Sequence, residues 1–487
     1  MIQKTTNVSR IIPAVVLAGL TFINLLFIVS HYWLIDSDMA QEMLLAKHLN
    51  DTGRIISADW IYTTELRVYN INVFFRIGLY LFPNNWMYAR IFGSACVYLL
   101  FLLGIYLFFD ACGNKNHWVY AGILLMIPVS TMYWFLGLFG LCYVFYAANI
   151  LIVISCILSR SKARVIVAVI ISFLLGLNGV KLFLQFYAPL IVVCIGYLVK
   201  SEDPTVRQGS KIGCIVFVSN IIGMFINFAF FNDYHYYHYS NIAFVGNQWD
   251  ASLHLGSFAD KLLDFLTLFG YQGGAKLVSY AGITTIVCGL TLVMVVSAWK
   301  KTIKRNPLEN RETFINCIAL SMVAVDCIAF TLLEASYNSS YWIPAFAIII
   351  CIYIMRFKED KRMIAATMVV FLLSGLATLK RNIEMPMRGR PGLREAAGWL
   401  AENGYKRGYA QFWDADAAVE FSSGKLEIWA LDGLDNFSSI AWGQPYSHIS
   451  EIPDRPFIIV RKGEWFDEGQ YPEFSVQYES EEYKIYG

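Results

Sequence analysis

Charge is what this sequence has least of. Asp, Glu, Lys and Arg make up 15% of its 487 residues, where soluble domains carry about 25%, and hydrophobic residues reach 57%. That balance excludes an ordinary soluble protein. Nor is one sign in excess. With a formal net charge of +1 the chain has no basic surplus with which to neutralise a run of phosphates, so no nucleic-acid partner is expected. Cysteine is missing where an exported domain would use it: the last of the ten is Cys351, so the final hundred or so residues have no disulfide to staple them. That fits a bacterial surface better than a secretory lumen. The cysteines inside apolar runs read as small core residues.

What is present is a series of apolar runs. Stretches of about 18 or more apolar residues cross the ~30 Å hydrocarbon layer as helices. Such stretches occur at 11–30, 87–109, 118–136, 138–158, 163–177, 182–199, 212–231, 277–299, 314–334, 341–356 and 363–379. The expectation is an α-helical polytopic membrane protein of about eleven transmembrane helices. The first run follows Lys4 and Arg10 and lacks a small-residue cleavage site, which predicts an uncleaved first helix. Basic residues mark cytoplasmic loops. The segments RSKAR, KSEDPTVRQGSK, KKTIKRNPLENR and RFKEDKR all fall inside if the N-terminus is cytoplasmic, which places the C-terminal tail outside.

Two outer loops, 31–86 and 232–276, are long enough to carry function. In the first, DSDMAQEMLLAKHLN predicts an amphipathic helix opened by acidic cap residues and closed by Gly53. The segment YNINVFFRIGLYLF, interrupted by Arg76, predicts a short interfacial or half-inserted helix. From residue 385 the composition turns polar. Pro391 starts a helix over LREAAGWLAEN that Gly404 ends, and YAQFW, KLEIWAL, PFIIV and FSVQY follow as short strands. The division expected is a membrane domain over 1–384 and a small extracytoplasmic α/β domain over 385–487, with no internal repeat.

Ionisable residues near the bilayer are the candidates for chemistry. Asp36 and Asp38 stand where the first run leaves the membrane. Partial desolvation raises a carboxylate's pKa and suits a general base or a metal ligand; the plainer reading is a helix cap and a solvated neighbour. Asp36 is the favoured base because it lies nearer the membrane. Glu65 and Arg67, in WIYTTELRVYN, read either as a structural ion pair or, for Arg67, as an anion holder. Arg90 and Lys181 sit at membrane depth, where cations face a cavity or a partner, or snorkel to the head groups. Because the run 163–177 is short, the turn before Lys181 should lie at the depth of a lipid phosphate. The spacing of Asp233, His235 and His238 in FNDYHYYHYSN suits a metal, although Tyr and His also crowd membrane interfaces for packing. EASYNSSYWIPAF carries Glu334, Tyr341 and Pro344, the proline able to kink a span beside a cavity. Trp413 and Trp429 read as sugar-stacking rings or as core of the tail.

Taken together, the multispan topology, the DSD motif at the head of the first long outer loop, the surface helices after it and the outer tail resemble the GT-C class of glycosyltransferases. NSSYWIPAF is similar to the tyrosine-proline segment near the end of many bacterial members. Two positions depart from the pattern: Asp36, Ser37 and Asp38 stand where many members have an acidic D-E pair, and Ser340 replaces a basic residue before the late tyrosine. The resemblance implies an inverting transfer from a polyprenyl-phosphate-linked sugar donor to a surface glycan acceptor at a bacterial plasma membrane. Asp36 or Asp38 would be the base, with Glu65 beside them, and Arg67, Arg90 or Lys181 would meet the donor phosphate. Asp233, His235, His238 and Tyr341 would serve the acceptor side. Some branches of the class bind a divalent cation, Mg or Mn, at the acidic motif, which here would fall to Asp36 and Asp38. The competing reading is a transporter or flippase of a lipid-linked or polar substrate, which would also place ionisable residues at membrane depth. A third, a sensor whose outer tail binds a ligand, makes little use of so many spans.

Overall fold

A computed structural model describes residues 2–63, 65–159, 161–234, 251–303, 311–332, 339–384, 391–464 and 466–487. Among them, eight helices are long and apolar enough to cross a membrane, and a ninth arises if the pair Tyr133–Phe139 and Cys142–Ile157, bent by 70°, counts as one span. The chain is therefore a multi-pass membrane protein. Two of the eleven expected runs fall on shorter helices. Trp118–Met126 stops after nine residues, because Pro128 follows and disfavours helix in the residue before it. Lys162–Leu177 has 16 residues, roughly 24 Å of rise.

The chain divides into two compact units. One comprises Met1–Asn24, Val97–Ala229 and Tyr239–Met385; the other comprises Leu25–Cys96, Phe230–His238 and Pro386–Gly487.

Helices in the first unit meet where the sequence is small or carries an amide, since lipid gives them no hydrophobic reason to associate. Lys162–Leu177 and Pro204–Phe231 approach so closely that a Cβ on Gly176 would lie 2.2 Å from the Asn220 carbonyl oxygen, and one on Gly223 2.2 Å from that of Phe173. Polar side chains bond across the same seam: Asn220 donates to the Ser172 carbonyl at 3.0 Å and Ser219 to that of Val169 at 2.8 Å. Each satisfies a group that hydrocarbon would leave unpaired.

The second unit holds the long segment after the first span and the C-terminal tail. Helix Ser37–Thr52 begins at the Asp36 cap and ends at Gly53, whose φ of 65° is the left-handed conformation that a terminating glycine supplies. A short helix, Asn72–Leu81, follows within YNINVFFRIGLYLF. In the tail, helix Pro391–Glu402 precedes a five-stranded sheet. Its strands are β1 (Arg407–Gln411), β2 (Glu427–Leu431), β3 (Phe457–Arg461), β4 (Val476–Glu479) and β5 (Tyr483–Tyr486). The order is β2-β1-β3-β5-β4, parallel across β2, β1 and β3 and antiparallel beyond. The first four are the expected strands. β5, in YKIYG, carries too short an alternation to stand out. Trp429 lies in the sheet core with Tyr409, Leu431 and Ile458, whereas Trp413 is exposed.

The loop and tail of this unit are joined by backbone. Ile61 donates to the Gln444 carbonyl and Gly443 to that of Ile61, both at 3.0 Å, and Tyr446 donates to the Asp59 carbonyl at 2.8 Å.

Candidate active site

The DSD motif is built into the start of a helix. Asp36 accepts a hydrogen bond from the Met39 amide at 3.1 Å, the N-cap geometry that satisfies one orphan donor of the first turn. Its side chain is buried, and so is Ser37; Asp38, on the first turn, is exposed. Both members of the plain reading are thus partly met: one acid caps, the other faces water. The tail fixes the motif from the other side, since the Asp416 amide donates to the Ser37 hydroxyl at 3.2 Å.

Beneath the motif lies buried charge. Arg90 donates from Nη2 to Glu420 Oε2 at 2.6 Å and from Nε to Oε1, and its Nη2 also reaches the Met39 carbonyl at 3.0 Å. Its guanidinium lies 5.0 Å from the centre of the Phe75 ring, and it interacts electrostatically with Asp36. Tyr32 donates to Glu420 Oε1 at 3.0 Å. Burial, followed by the Glu420 charge, holds the Tyr32 phenol well above its usual range. The carboxyl of Asp416 is likewise pushed well above the usual carboxylate range, first by burial and then by the charges of Asp38 and Glu420.

The other expected pair is rearranged. Arg67 bonds Glu42 through Nη1 and Thr63 through Nη2, the latter at 3.0 Å. It holds a left-handed φ of 56°, a conformation costly for a side-chain-bearing residue, and Asn72 donates to its carbonyl at 3.1 Å. Glu65 is buried nearby in sequence but is not the partner in the Arg67 salt bridge. Asp233 is exposed on the turn Asn232–Tyr234. His235, His238 and Glu334 lie outside the described residues.

Lys181 belongs to the first unit. Helix Lys162–Leu177 ends, the chain turns through Gly179 at φ 128°, and Lys181 emerges at the start of the next helical segment. Its ammonium donates to the Tyr143 hydroxyl at 3.4 Å and lies 5.4 and 5.3 Å from the ring centres of Tyr143 and Tyr341. The two rings are 5.5 Å apart, and Gln185 donates to the Tyr341 carbonyl at 3.4 Å. Each ring offers the ammonium a cation–π contact in place of part of its hydration.

Among the described residues no group of three His, Cys, Asp or Glu side chains is arranged to hold a metal ion, and the Asp36 carboxylate is engaged in the cap.

Sequence reasoning missed Glu42, Glu420, Asp416 and Tyr143. A signal existed for two of them: in FWDADAAVEF the acids at 416 and 420 are four apart among alanines, one face of a helix, and a charged face on so apolar a helix invites a buried partner.

No protein-family model matches the sequence, and no curated protein matches it. Solved structures do. The chain superposes on ArnT from Cupriavidus metallidurans bound to undecaprenyl phosphate with a TM-score of 0.64 at 11% identity, covering 98% of this chain and 97% of that one. For ArnT in the apo state the TM-score is 0.62 at 12% identity, with 99% and 98% covered. The Archaeoglobus fulgidus oligosaccharyltransferase in its apo form gives a TM-score of 0.48 at 12% identity, over 92% of this chain and 69% of that one. The fold of this chain, membrane helices and C-terminal tail alike, is therefore that of ArnT, as the resemblance to the GT-C class led us to expect.

Proposed function

We propose that this protein is a membrane glycosyltransferase that moves a sugar from a polyprenyl-phosphate carrier to a hydroxyl of a surface glycan. It would act on the extracytoplasmic face of a bacterial plasma membrane, with its N-terminus in the cytoplasm. The observation that carries the reading is the DSD turn, in which an exposed Asp38 is held on a rigid helix start by the capped Asp36 and the buried Ser37 contact. The ArnT fold, seen elsewhere with undecaprenyl phosphate bound, supports the class of donor.

In the reaction the acceptor hydroxyl gives its proton to the Asp38 carboxylate, and its oxygen forms a bond to the anomeric carbon. The bond from that carbon to the phosphate oxygen breaks on the opposite face, its electron pair stays on the phosphate, and the configuration inverts. A general base contributes about 10²–10⁴ in rate. Asp38 takes this role over Asp36 because a base must be reached by the acceptor, and Asp36 is buried with its carboxylate engaged. Charge growing on the phosphate needs a cation. Arg67 and Arg90 are committed to Glu42 and Glu420, so we assign the phosphate to Lys181, with Tyr143 and Tyr341 keeping it weakly hydrated. Asp36, Glu65, Arg67 and Arg90 are positioning residues, and Asp233 is left to the acceptor side.

The test is transfer of labelled sugar from a panel of polyprenyl-phosphate sugars by the purified protein. Release of polyprenyl phosphate with inversion at the sugar supports the reading. A folded protein that consumes no donor in the panel, yet moves lipid-linked sugar across vesicles, would replace it with the flippase reading.

A further inference from the structure

The chemistry assigned to Asp38 makes no use of a cleft in the second unit, an open space of about 1000 Å³ between helix Ser37–Thr52 and the edge of the tail sheet. Two polar atoms in its lining are buried and lack a hydrogen-bond partner among the described residues: Oδ2 of Asp416 and Nε1 of Trp86. Their residues are 1% and 2% exposed. Native proteins seldom leave such atoms unmatched, and where they do the missing partner is often a ligand or ordered water. Gly424 in the lining packs directly on the Trp86 ring: its φ is 72°, and a Cβ there would sit 2.4 Å from the ring.

The rim has the opposite character. Lys47 is paired with Asp51 and Arg407 with Glu427. Lys406, Lys425 and Arg455 are exposed and have no salt bridge among the described residues, against one carboxylate in the same state, Asp454. One unmatched indole donor and one unmatched carboxyl oxygen just behind the lining, below a rim with surplus cations, match a molecule that carries both hydroxyls and negative charge. Trp60 and Trp86 are too buried to offer a face for stacking, so recognition rests on hydrogen bonds and charge.

We propose that this cleft is a binding subsite for an anionic oligosaccharide, the surface glycan that accepts the sugar. The assignment of the bound chain as acceptor rests on the transferase reading above, whereas the binding itself does not. Carboxylates of the chain meet the exposed Lys406, Lys425 and Arg455, and hydroxyls of the residue between them reach Asp416 and Trp86 as the lining adjusts around it.

The experiment is calorimetric titration of the full-length protein in detergent, without donor. The probes are a hexuronic-acid oligosaccharide, a neutral glucose oligosaccharide of the same length, and inorganic phosphate. The uronic oligosaccharide should bind, the neutral one more weakly, and phosphate should not displace it. The triple variant Lys406→Ala, Lys425→Ala, Arg455→Ala, whose changes are all exposed, should weaken the uronic probe about tenfold and flatten its salt dependence. Asp416→Ala should weaken both oligosaccharides. No binding of the uronic probe, equal binding by the triple variant, or displacement by phosphate overturns the proposal. Asp38→Asn separates the two readings, since it should lower transfer about a hundredfold or more and leave this titration unchanged. If the oligosaccharide binds while the wild type transfers nothing, the cleft stands and the transferase reading falls. Transfer without oligosaccharide binding gives the reverse.

Discussion

The two units of this chain solve burial in opposite ways. In the first, helices meet through glycines and through amides and hydroxyls that bond to a neighbour's backbone, as at Gly176, Gly223, Asn220 and Ser219. Asp326 is its one buried acid among the described residues. In the second unit Asp36, Glu42, Glu65, Asp414, Asp416 and Glu420 are all buried, together with Arg90. Buried charge is a poor way to gain stability, because desolvation offsets most of the attraction. A unit that concentrates it is using it for geometry, and here the geometry fixed is that of the DSD turn.

The comparison can be broken most forcefully at Glu420. Glu420→Ala strands the Arg90 guanidinium and should cost the second unit about 3–5 kcal/mol, measured by denaturant titration of the solubilised protein. Replacing the network by apolar side chains, with Arg90→Met, Glu420→Leu and Tyr32→Phe together, should recover most of that loss but not the activity. In the first unit the largest effect should fall on chemistry. Lys181→Met should lower transfer about a hundredfold with little change in stability, as loss of one charge-stabilising group does elsewhere; single-turnover rates check it. Gly223→Leu should instead destabilise the first unit by about 1–3 kcal/mol through overpacking against the Phe173 carbonyl, read by the same titration.

The smallest effect sharpens the contrast through pH. Because the folded state raises the Asp416 carboxyl, first by burial and then through Asp38 and Glu420, the folded protein holds a proton that the unfolded chain releases. That contribution is complete below the usual carboxylate range and is lost as pH rises towards the folded value. Asp416→Asn removes the loss, so the variant should be more stable than wild type at neutral pH, with the gap closing below about pH 4.

Sequence made the first unit legible because hydropathy is the signal that a bilayer imposes, and most of the apolar runs became helices of the expected extent. It failed at 118–136, where Pro128 divides one apolar run. The DSD helix, the Asn72–Leu81 helix and four of five strands were readable from caps, periodicity and alternation. Partners were not. Nothing in WIYTTELRVYN says that Arg67 will choose Glu42 over Glu65, and nothing near Arg90 points to a glutamate 330 residues away. Such pairings depend on long-range packing, which local pattern does not encode. The same blindness bears on the choice between Asp36 and Asp38: distance from the membrane is readable in sequence, but whether a carboxylate is engaged in a helix cap is not.

The most direct test of the central claim compares Asp38→Asn with Asp36→Asn, each checked for folding, in transfer of labelled sugar from undecaprenyl-phosphate donors. The account predicts that Asp38→Asn loses about a hundredfold or more in transfer rate with donor binding unchanged, whereas Asp36→Asn keeps measurable transfer, since Asn is itself a good cap. Full activity in Asp38→Asn with loss in Asp36→Asn would contradict it and return the base to the buried acid.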